Sequence, residues 1–516
     1  MIVEFSCLNS SEKKFGRRAE KKAKRSGLTI DRDIFVELRN KTTKFAKSLK
    51  LSNVKNKIDS ANGDQKTLFN VFNTLVDQQN EAPLPDFDNE KELAENFSSF
   101  FVDKVKNIRN SFPNSSNCNI EYEIFEGETL SEFKLTNADE IKSIIMEHGV
   151  KCSTADILPP NLINENIDLF LPLWVDLVNA SLKQSSMDGI KLANIIPKLK
   201  GYNLDSEALK NFRPLSNLTF LSKLIERVVL KRLNTHMAKN DLNIGDQSGY
   251  KKVHSTETLM IKLTNDLLIA SDKNTASVLL LLDLSAAFDT VDVNRLLDIL
   301  FMEIGIRGSA LAWFKSFLIG RSQRVKIGNT FSEEVIIEFG VPQGSVLGPV
   351  LFNIYIRSFY KFVNSKSSFS VQGFADDHQL LTSFSVTNQV YMLGENILNI
   401  LTEVKNWMDS FFLKCNEKKT NIIVFAPRRL RKLIDINGLF IGDKCVRFPN
   451  VVENLGVLLD GELSFEQQIS HCAQSCFSTI RKISSVKTFQ VLIKENYSSL
   501  HWYFHSWTTV MVYCIM

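Results

Sequence analysis

Two adjacent acidic residues in an apolar stretch constrain this chain more than any other feature. They lie in Phe374-Ala375-Asp376-Asp377, and a third aspartate, Asp283, ends the run Ser277-Val-Leu-Leu-Leu-Leu-Asp283. Apolar runs of this kind predict buried strands. Neighbouring carboxylates in such a setting do not readily ionise together unless a cation compensates their charge. Mg²⁺ is the natural cation, because it binds one or two carboxylates together with substrate phosphates. An acidic hairpin turn that faces water is the alternative for the Asp-Asp pair alone.

Three further motifs occur in order around these aspartates. They are Asp283-Leu-Ser-Ala-Ala-Phe288-Asp289, Gly340-Val-Pro-Gln343-Gly344-Ser-Val-Leu-Gly348-Pro349 and Asn416-Glu-Lys-Lys419-Thr420. Together with the aspartate pair they resemble the successive palm motifs of reverse transcriptases. The wording resembles the non-LTR (LINE-type) retrotransposon branch, near the jockey-like elements, more than it resembles retroviral enzymes. The resemblance runs from around Lys151 to around Leu463 and continues more weakly into both flanks.

The resemblance implies an RNA-directed DNA polymerase that adds dNTPs to a primer 3′-hydroxyl. An RNA template and a DNA primer would be its partners, and two Mg²⁺ ions, with Mn²⁺ as an alternative, its cofactors. Asp283, the Leu284 carbonyl and Asp376 are the expected metal ligands, with Asp377 alongside as a ligand or an electrostatic partner. Two metals held in this way activate the attacking oxygen and stabilise the leaving one in a displacement at phosphorus. The runner-up function is an inactive nucleic-acid-binding remnant of such an element.

The resemblance also implies residues that contact the nucleotide. Phe288 lies five positions after Asp283, where the family places a bulky aromatic under the incoming sugar. Such a ring clashes with a 2′-hydroxyl and favours deoxynucleotides, and core packing is the alternative role. Gln343 and Gly344 are expected beside the incoming nucleotide and the template base. Their loop contains glycines, which permit close backbone approach, and prolines, which stiffen it. A plain strand-to-helix turn is the alternative.

The remaining candidates include three basic residues. The family's lysine at Lys419 is the expected acid that protonates the leaving pyrophosphate, and a solvated lysine is the alternative. Arg213 and Lys251 are the finger cations predicted to contact the triphosphate, although lysine at position 251 lacks the bidentate fork of the arginine usual there. Asp289, by contrast, is predicted to cap or salt-bridge the element that it begins.

Alternating strand and helix patterns predict an α+β fold, and the resemblance implies a right-hand polymerase with fingers, palm, a partial thumb and a helical N-terminal extension. The predicted segments are a helical basic connector (1–129), a finger-associated region (130–275), the palm (276–465) and a partial thumb (466–516). The reverse transcriptase domain overall is predicted at about 178–460. The chain is expected to be helical from Leu130 to Lys200. Asp292 is expected to cap a helix near Val293 to Ile304, and residues 368–384 to form a hairpin with the aspartate pair at its tip.

Charge and cysteine content constrain the setting. The chain has 516 residues, 44% of them hydrophobic, and a net charge of +4, which permits nucleic acid as a partner without requiring it. Lysine and arginine are dense from Lys13 to Lys57, as in segments that follow phosphates, with a solvated helical linker as the alternative. The 8 cysteines contain no Cys-x-x-Cys pair, which indicates a reducing compartment. No apolar run reaches the ~18 residues of a membrane span, and no signal-peptide pattern is present. No membrane partner is therefore expected, and cytoplasm and nucleus both fit.

Overall fold

Helices and strands alternate along the chain, which therefore has a mixed helix and sheet fold. The computed structural model describes residues 10–60, 84–112 and 122–485, except for 151–152, 154, 157, 202–203, 367, 386–389, 417–418, 432–438, 442–443 and 447. The chain divides into two compact units, one from Met1–Ala82 with Glu466–Met516 and the other from Pro83–Phe465. The carboxylate motifs all lie in the second unit.

Both kinds of element are spread through the described residues. The helices are α1 (Ser10–Ser26), α2 (Thr29–Ser60), α3 (Glu90–Asn110), α4 (Ala138–His148), α5 (Pro160–Glu165), α6 (Ile167–Gln184), α7 (Phe220–Lys239), α8 (Thr256–Asp272), α9 (Val293–Met302), α10 (Gly308–Leu318), α11 (Gly348–Tyr355), α12 (Arg357–Asn364), α13 (Val390–Ser410), α14 (Arg428–Arg431) and α15 (Glu466–Ser485). The strands are β1 (Leu192–Leu199), β2 (Phe212–Asn217), β3 (Thr275–Leu282), β4 (Leu284–Ser285), β5 (Arg321–Ile327), β6 (Thr330–Phe331), β7 (Val335–Ile337), β8 (Ser370–Phe374), β9 (Asp377–Ser385), β10 (Lys414–Cys415), β11 (Asn421–Phe425), β12 (Leu439–Ile441), β13 (Lys444–Val446), β14 (Val451–Asn454) and β15 (Val457–Asp460).

Strand β3 lies inside an antiparallel sheet that carries the three aspartates. The strand order is β11-β3-β9-β8, and each neighbouring pair is antiparallel. Val278, Leu279 and Leu280 of β3 are fully buried, as the apolar run predicts. The register pairs Leu282 with His378. The next position along each strand therefore brings Asp283 opposite Asp377 at the end of the ladder.

The predicted hairpin with the aspartate pair at its tip is confirmed. Phe374 of β8 pairs with Asp377 of β9, so Ala375 and Asp376 form a two-residue turn. Ala375 has a φ of 58°, the left-handed conformation that tight hairpin turns require. Because alanine rarely adopts this conformation, contacts from outside the hairpin are needed to hold it.

A second sheet lies in the same unit, and it corrects the expectation that the chain is helical up to Lys200. Its order is β2-β1-β5-β6, with β7 also paired to β5 and with β1 and β5 parallel. In β1, buried Ile195, Pro197 and Leu199 alternate with more exposed residues, which is the period of a strand. Pro197 also lacks the N–H that a helix interior needs.

Helix α3 packs against this second sheet. Phe97 is fully buried, and its ring meets that of Phe212 edge-on with centroids 5.0 Å apart. Helix α3 lies within the predicted connector 1–129, yet it belongs to the same compact unit as both sheets. The compact units divide after Ala82 and after Phe465, whereas the predicted functional segments divide at 129, 275 and 465.

The first unit contains helices α1, α2 and α15. Gly27 between α1 and α2 has a φ of 64°. Asp31 of α2 accepts a hydrogen bond from the Ser26 hydroxyl and forms an ion pair with Lys22 at 3.0 Å. These contacts hold the two basic helices together. Within the described residues, none of the helices is both long enough and apolar enough to cross a bilayer.

Candidate active site

The three predicted carboxylates come together at one end of the first sheet. Asp283 follows β3, Asp376 lies in the β8–β9 turn and Asp377 begins β9. Burial, together with the charge of Asp283, raises the pKa of Asp376 above its ordinary value. Desolvation, followed by the charges of Asp376 and Asp283, raises the pKa of Asp377 to about 6, although Asp377 is an exposed residue at the tip. Asp376 and Asp377 are therefore electrostatically coupled to each other and to Asp283.

This donor set fits a hard divalent cation. Within the described part of the chain, no three His, Cys, Asp or Glu side chains form a ready-made metal cluster. A cation is what allows neighbouring carboxylates to approach and ionise together. Mg²⁺ takes only oxygen donors and fills its remaining positions with water and substrate phosphates. Asp283 supplies such oxygens from the end of β3 and Asp376 from the β8–β9 turn.

The Asn416-x-x-Lys419 motif is brought directly to Asp283. Strand β10 pairs with β4, which places Cys415 opposite Leu284. Asn416 donates its side-chain amide to Asp283 Oδ2 at 3.0 Å and its backbone N–H to the Asp283 carbonyl at 2.8 Å. Lys419 Nζ lies 3.4 Å from Asp283 Oδ1. The motif therefore fixes the first aspartate, a role for Asn416 that its spacing alone did not indicate.

The second aspartate is fixed by a residue that sequence reasoning missed. Gln247 is buried, and its amide brackets Ala375 by donating from Nε2 to the Ala375 carbonyl and accepting the Ala375 N–H at Oε1, both at 3.0 Å. The same oxygen accepts the Gly249 N–H at 2.8 Å. A Cβ on Gly249 would lie 2.2 Å from the Ala375 nitrogen, so only glycine permits this approach. Gln247 thus supplies the outside contact that the left-handed turn needs.

Phe288 lies in a group of three aromatic side chains beside the carboxylates. Its ring stacks on Phe352 with centroids 4.7 Å apart and meets Tyr250 edge-on at 6.4 Å. Desolvation and then the charge of Asp376 raise the pKa of the Tyr250 hydroxyl, which places Tyr250 on the Asp376 side. Phe288 is only partly buried. A ring that packs on one face and stays partly open fits the predicted contact with a sugar, which remains a prediction.

The loop with Gln343 and Gly344 is braced from two sides. The Gln343 carbonyl accepts the Ser216 N–H of β2 at 2.9 Å, and its side-chain amide donates to Asp289 Oδ1 at 2.8 Å. Gly344 has a φ of 102°, and a Cβ there would lie 2.5 Å from the Ser216 carbonyl. Burial raises the pKa of Asp289 to about 6. Asp289 therefore holds the loop instead of capping a helix, and the helix α9 is capped by Asp292, which accepts the Arg295 N–H at 3.0 Å as predicted.

The two predicted finger cations, Arg213 and Lys251, have different surroundings. Arg213 lies on β2 opposite Lys198. Its charge, like that of Lys419, partly offsets the rise in the pKa of Asp376. Lys251 instead donates to the Ile244 carbonyl at 3.2 Å within its own loop. Arg213 thus acts electrostatically on Asp376, whereas the Lys251 ammonium is engaged elsewhere, and the predicted triphosphate contacts of both residues stay predictions.

These features define a class of protein. Residues 196–459 match the family model described as reverse transcriptase (RNA-dependent DNA polymerase), and the chain belongs to this family. All the residues discussed above, from Arg213 to Lys419, lie within the matched segment.

Individual relatives come from mobile elements of flies. The chain is 27% identical over 285 residues to the probable RNA-directed DNA polymerase from transposon BS of Drosophila melanogaster, covering 54% of this chain and 30% of the relative. It is 27% identical over 262 residues to the corresponding protein from transposon X-element of the same species, covering 50% and 28%. It is 25% identical over 286 residues to the RNA-directed DNA polymerase from mobile element jockey, covering 53% and 29%. The chain thus spans less than a third of the length of these curated relatives.

Proposed function

We propose that this chain is an RNA-directed DNA polymerase of non-LTR retrotransposon origin, which adds dNTPs to a primer 3′-hydroxyl on an RNA template. The observation that carries the proposal is the convergence of Asp283 with Asp376 and Asp377 at one end of the first sheet. The family membership of residues 196–459 and the names of the fly relatives support the same reaction.

Asp283 and Asp376 are the residues that would hold Mg²⁺, with the Leu284 carbonyl and Asp377 alongside, and Mn²⁺ could take the same donors. When bound, two such ions lower the pKa of the attacking hydroxyl and neutralise charge at the reacting phosphate. The chain itself orients the ligands. Asn416 fixes Asp283 through two hydrogen bonds, and Gln247 fixes the turn that presents Asp376.

Other side chains bind and select the nucleotide in this proposal. Phe288 packs below the sugar and excludes a 2′-hydroxyl, while Gln343 and Gly344 border the base pair that forms. Arg213 contacts the triphosphate, and Lys251 does so if its loop releases the ammonium. Lys419, whose Nζ lies 3.4 Å from Asp283 Oδ1, gives a proton to the departing pyrophosphate in this proposal.

The architecture is proposed to follow the right-hand plan. The first sheet corresponds to the palm (276–465), helices α4–α8 with strands β1 and β2 to a finger-associated region (130–275), and residues 466–516 to part of a thumb. Strands β5, β6 and β7 of the second sheet fall within the palm segment. Residues 1–129 would form the basic connector, and 178–460 the polymerase domain as a whole. The template, primer and dNTPs are its partners, in the cytoplasm or the nucleus.

Primer extension by the purified chain tests this proposal. The substrates are an RNA template annealed to a DNA primer, the four dNTPs and Mg²⁺, and Asp376→Asn is the inactive control because it removes a ligand charge without changing size. Extension by the wild type that is lost in Asp376→Asn supports the polymerase. Template–primer binding without any extension would instead favour the inactive remnant.

A further inference from the structure

Helix α3 turns one face towards the second sheet, and that face carries a lysine. Phe97 and Phe101 are buried, with 0% and 4% of their surface exposed. Lys104 follows at a spacing of three residues, which places it on the same side of the helix as the two phenyl rings. It is only partly exposed. A lysine on a packed face needs a reason to be there, because its ammonium loses hydration.

Both ends of α3 are pinned, so that the position of Lys104 is fixed. At the N-terminal end Glu90 accepts from the Thr330 hydroxyl at 2.8 Å, and Lys91 pairs with Glu333 at 2.7 Å. At the C-terminal end Arg109 pairs with Asp292 at 2.7 Å, and both side chains are largely buried. Buried charged pairs of this kind hold geometry well, because breaking one leaves a buried charge alone.

Lys104 lines the cleft that contains the loop with Gln343 and Gly344. A cavity of about 90 Å³ is bounded by Lys104, Pro214, Ser216, Asp289 and Gln343, among others. Within the described ranges, Lys104 Nζ makes no hydrogen bond and no ion pair. Its charge partly offsets the rise that burial causes in the pKa of nearby Asp289. The ammonium is therefore available to a ligand at the loop that Asp289 and Gln343 form.

Lys104 is also one of three cations whose charges act on a fourth, Lys200. Desolvation, followed by the charges of Lys104, Lys419 and Arg213, lowers the pKa of the Lys200 ammonium. Asp283 is the carboxylate that offsets this group, and it is itself an expected metal ligand. A group of like charges of this kind favours an anion of high charge, and of these four side chains Lys104 is the one that lines the cavity.

We infer that Lys104 is a phosphate-binding residue of the active site, contributed by a helix outside the family-matched segment 196–459. The inference rests on the proposed polymerase function for the source of the phosphate, which is either the triphosphate of the incoming nucleotide or the backbone of the bound nucleic acid. An ammonium offers both sources the same point charge and hydrogen-bond donors.

The test compares the full-length wild type with Lys104→Met, which removes the charge and keeps the length of the side chain. If the triphosphate is the ligand, the KM for dNTP rises about tenfold or more, as for loss of one charge-assisted hydrogen bond, while kcat and the template–primer Kd stay close to wild type. If backbone phosphate is the ligand, the Kd rises instead, and the slope of log K against log salt becomes shallower by roughly 0.7–0.9.

Two further variants separate charge from packing. Lys104→Arg keeps the charge and should restore most of the lost affinity. Lys183→Met is the matched control, since this exposed lysine lies on α6 and is not among the residues that line the cavity, and it should leave KM and Kd unchanged. Wild-type values of both KM and Kd in Lys104→Met would overturn the inference.

A binding measurement keeps this test independent of the polymerase proposal. Calorimetric titration with inorganic tripolyphosphate needs no turnover, and Lys104→Met should bind it about tenfold more weakly than wild type or worse. Equal binding by the two proteins would overturn the Lys104 inference even if both extend primers. Conversely, weaker tripolyphosphate binding by the variant, with no extension by wild type, would uphold the phosphate site and refute the polymerase.

Discussion

Replacement of Gln247 by alanine should loosen the turn that presents Asp376. Gln247 is 2% exposed and Ala375 7% exposed, so water does not readily replace the lost amide. The Ala375 N–H, the Ala375 carbonyl and the Gly249 N–H would all lose their Gln247 partner. An unsatisfied buried polar group costs about 1–3 kcal/mol, and three such groups therefore predict a loss of roughly 3–9 kcal/mol in the free energy of unfolding.

The same variant should also respond differently to metal. Asp376 directly follows Ala375, whose φ of 58° is held by Gln247. A turn that relaxes from this conformation moves the Asp376 carboxylate away from Asp283, and the Mg²⁺ concentration for half-maximal nucleotide incorporation should rise. The assay is single-nucleotide incorporation over a Mg²⁺ titration, run beside urea denaturation of the same preparations.

Gln379→Ala is the control for a purely structural effect. Gln379 is 4% exposed on β9, accepts a hydrogen bond from Asn454 at 2.7 Å and donates one to Gln372 at 3.2 Å. Its loss should reduce stability without moving the Mg²⁺ midpoint. If the midpoint of Gln247→Ala equals that of Gln379→Ala, Gln247 only stabilises the fold and the positioning argument is refuted.

Four other outcomes are expected. Asp376→Asn should abolish incorporation. It should also raise the melting temperature of the metal-free protein at pH 7 or leave it unchanged, because burial makes the charged form of Asp376 unfavourable. A large fall in melting temperature would show that the charge supports the fold. Phe288→Val should lower the ratio of kcat/KM for dNTP over rNTP, and an unchanged ratio would mean that the ring only packs on Phe352. The pKa of Asp377 is raised to about 6, so its contribution to metal-free stability is present below the unfolded pKa of about 3.9 and is lost as pH rises through 6. Between pH 4 and 7 the melting temperature should therefore fall less steeply with pH in Asp377→Asn than in wild type. Deleting residues 13–57 should flatten the salt dependence of RNA binding, and an identical slope would make the segment a solvated connector.

Local patterns in the sequence predicted the elements that carry the carboxylates. The apolar run before Asp283 is strand β3, and the aspartate pair lies at the tip of the β8–β9 hairpin. Asp292 caps α9 through the Arg295 N–H. The spacing of apolar residues and helix capping depend on residues close in sequence, so these features can be predicted without knowledge of the tertiary structure. The helical prediction is wrong over β1, because its alternation of buried and exposed residues covers only 195–199 and follows a long helical stretch.

The contacts that position the site were not predictable in the same way. Gln247 and Ala375 are 128 residues apart, and Gln343 and Asp289 are 54 residues apart. Neither pair leaves a periodic signal, since each depends on how distant segments meet. Lys104 likewise resembles any other lysine of a helix until the packing of Phe97 and Phe101 shows which face it occupies.

The most direct test of the central claim is the rate of the first nucleotide addition in a single turnover. The purified chain is mixed with an RNA template, a DNA primer, one complementary dNTP and Mg²⁺, and wild type is compared with Asp283→Asn and Asp376→Asn. The account predicts template-directed, metal-dependent addition by wild type and a loss of at least about a hundredfold in either variant, the scale of removing one key electrostatic group from an active site. Equal rates in all three proteins, or no addition by a folded wild type that binds the template–primer, would contradict it.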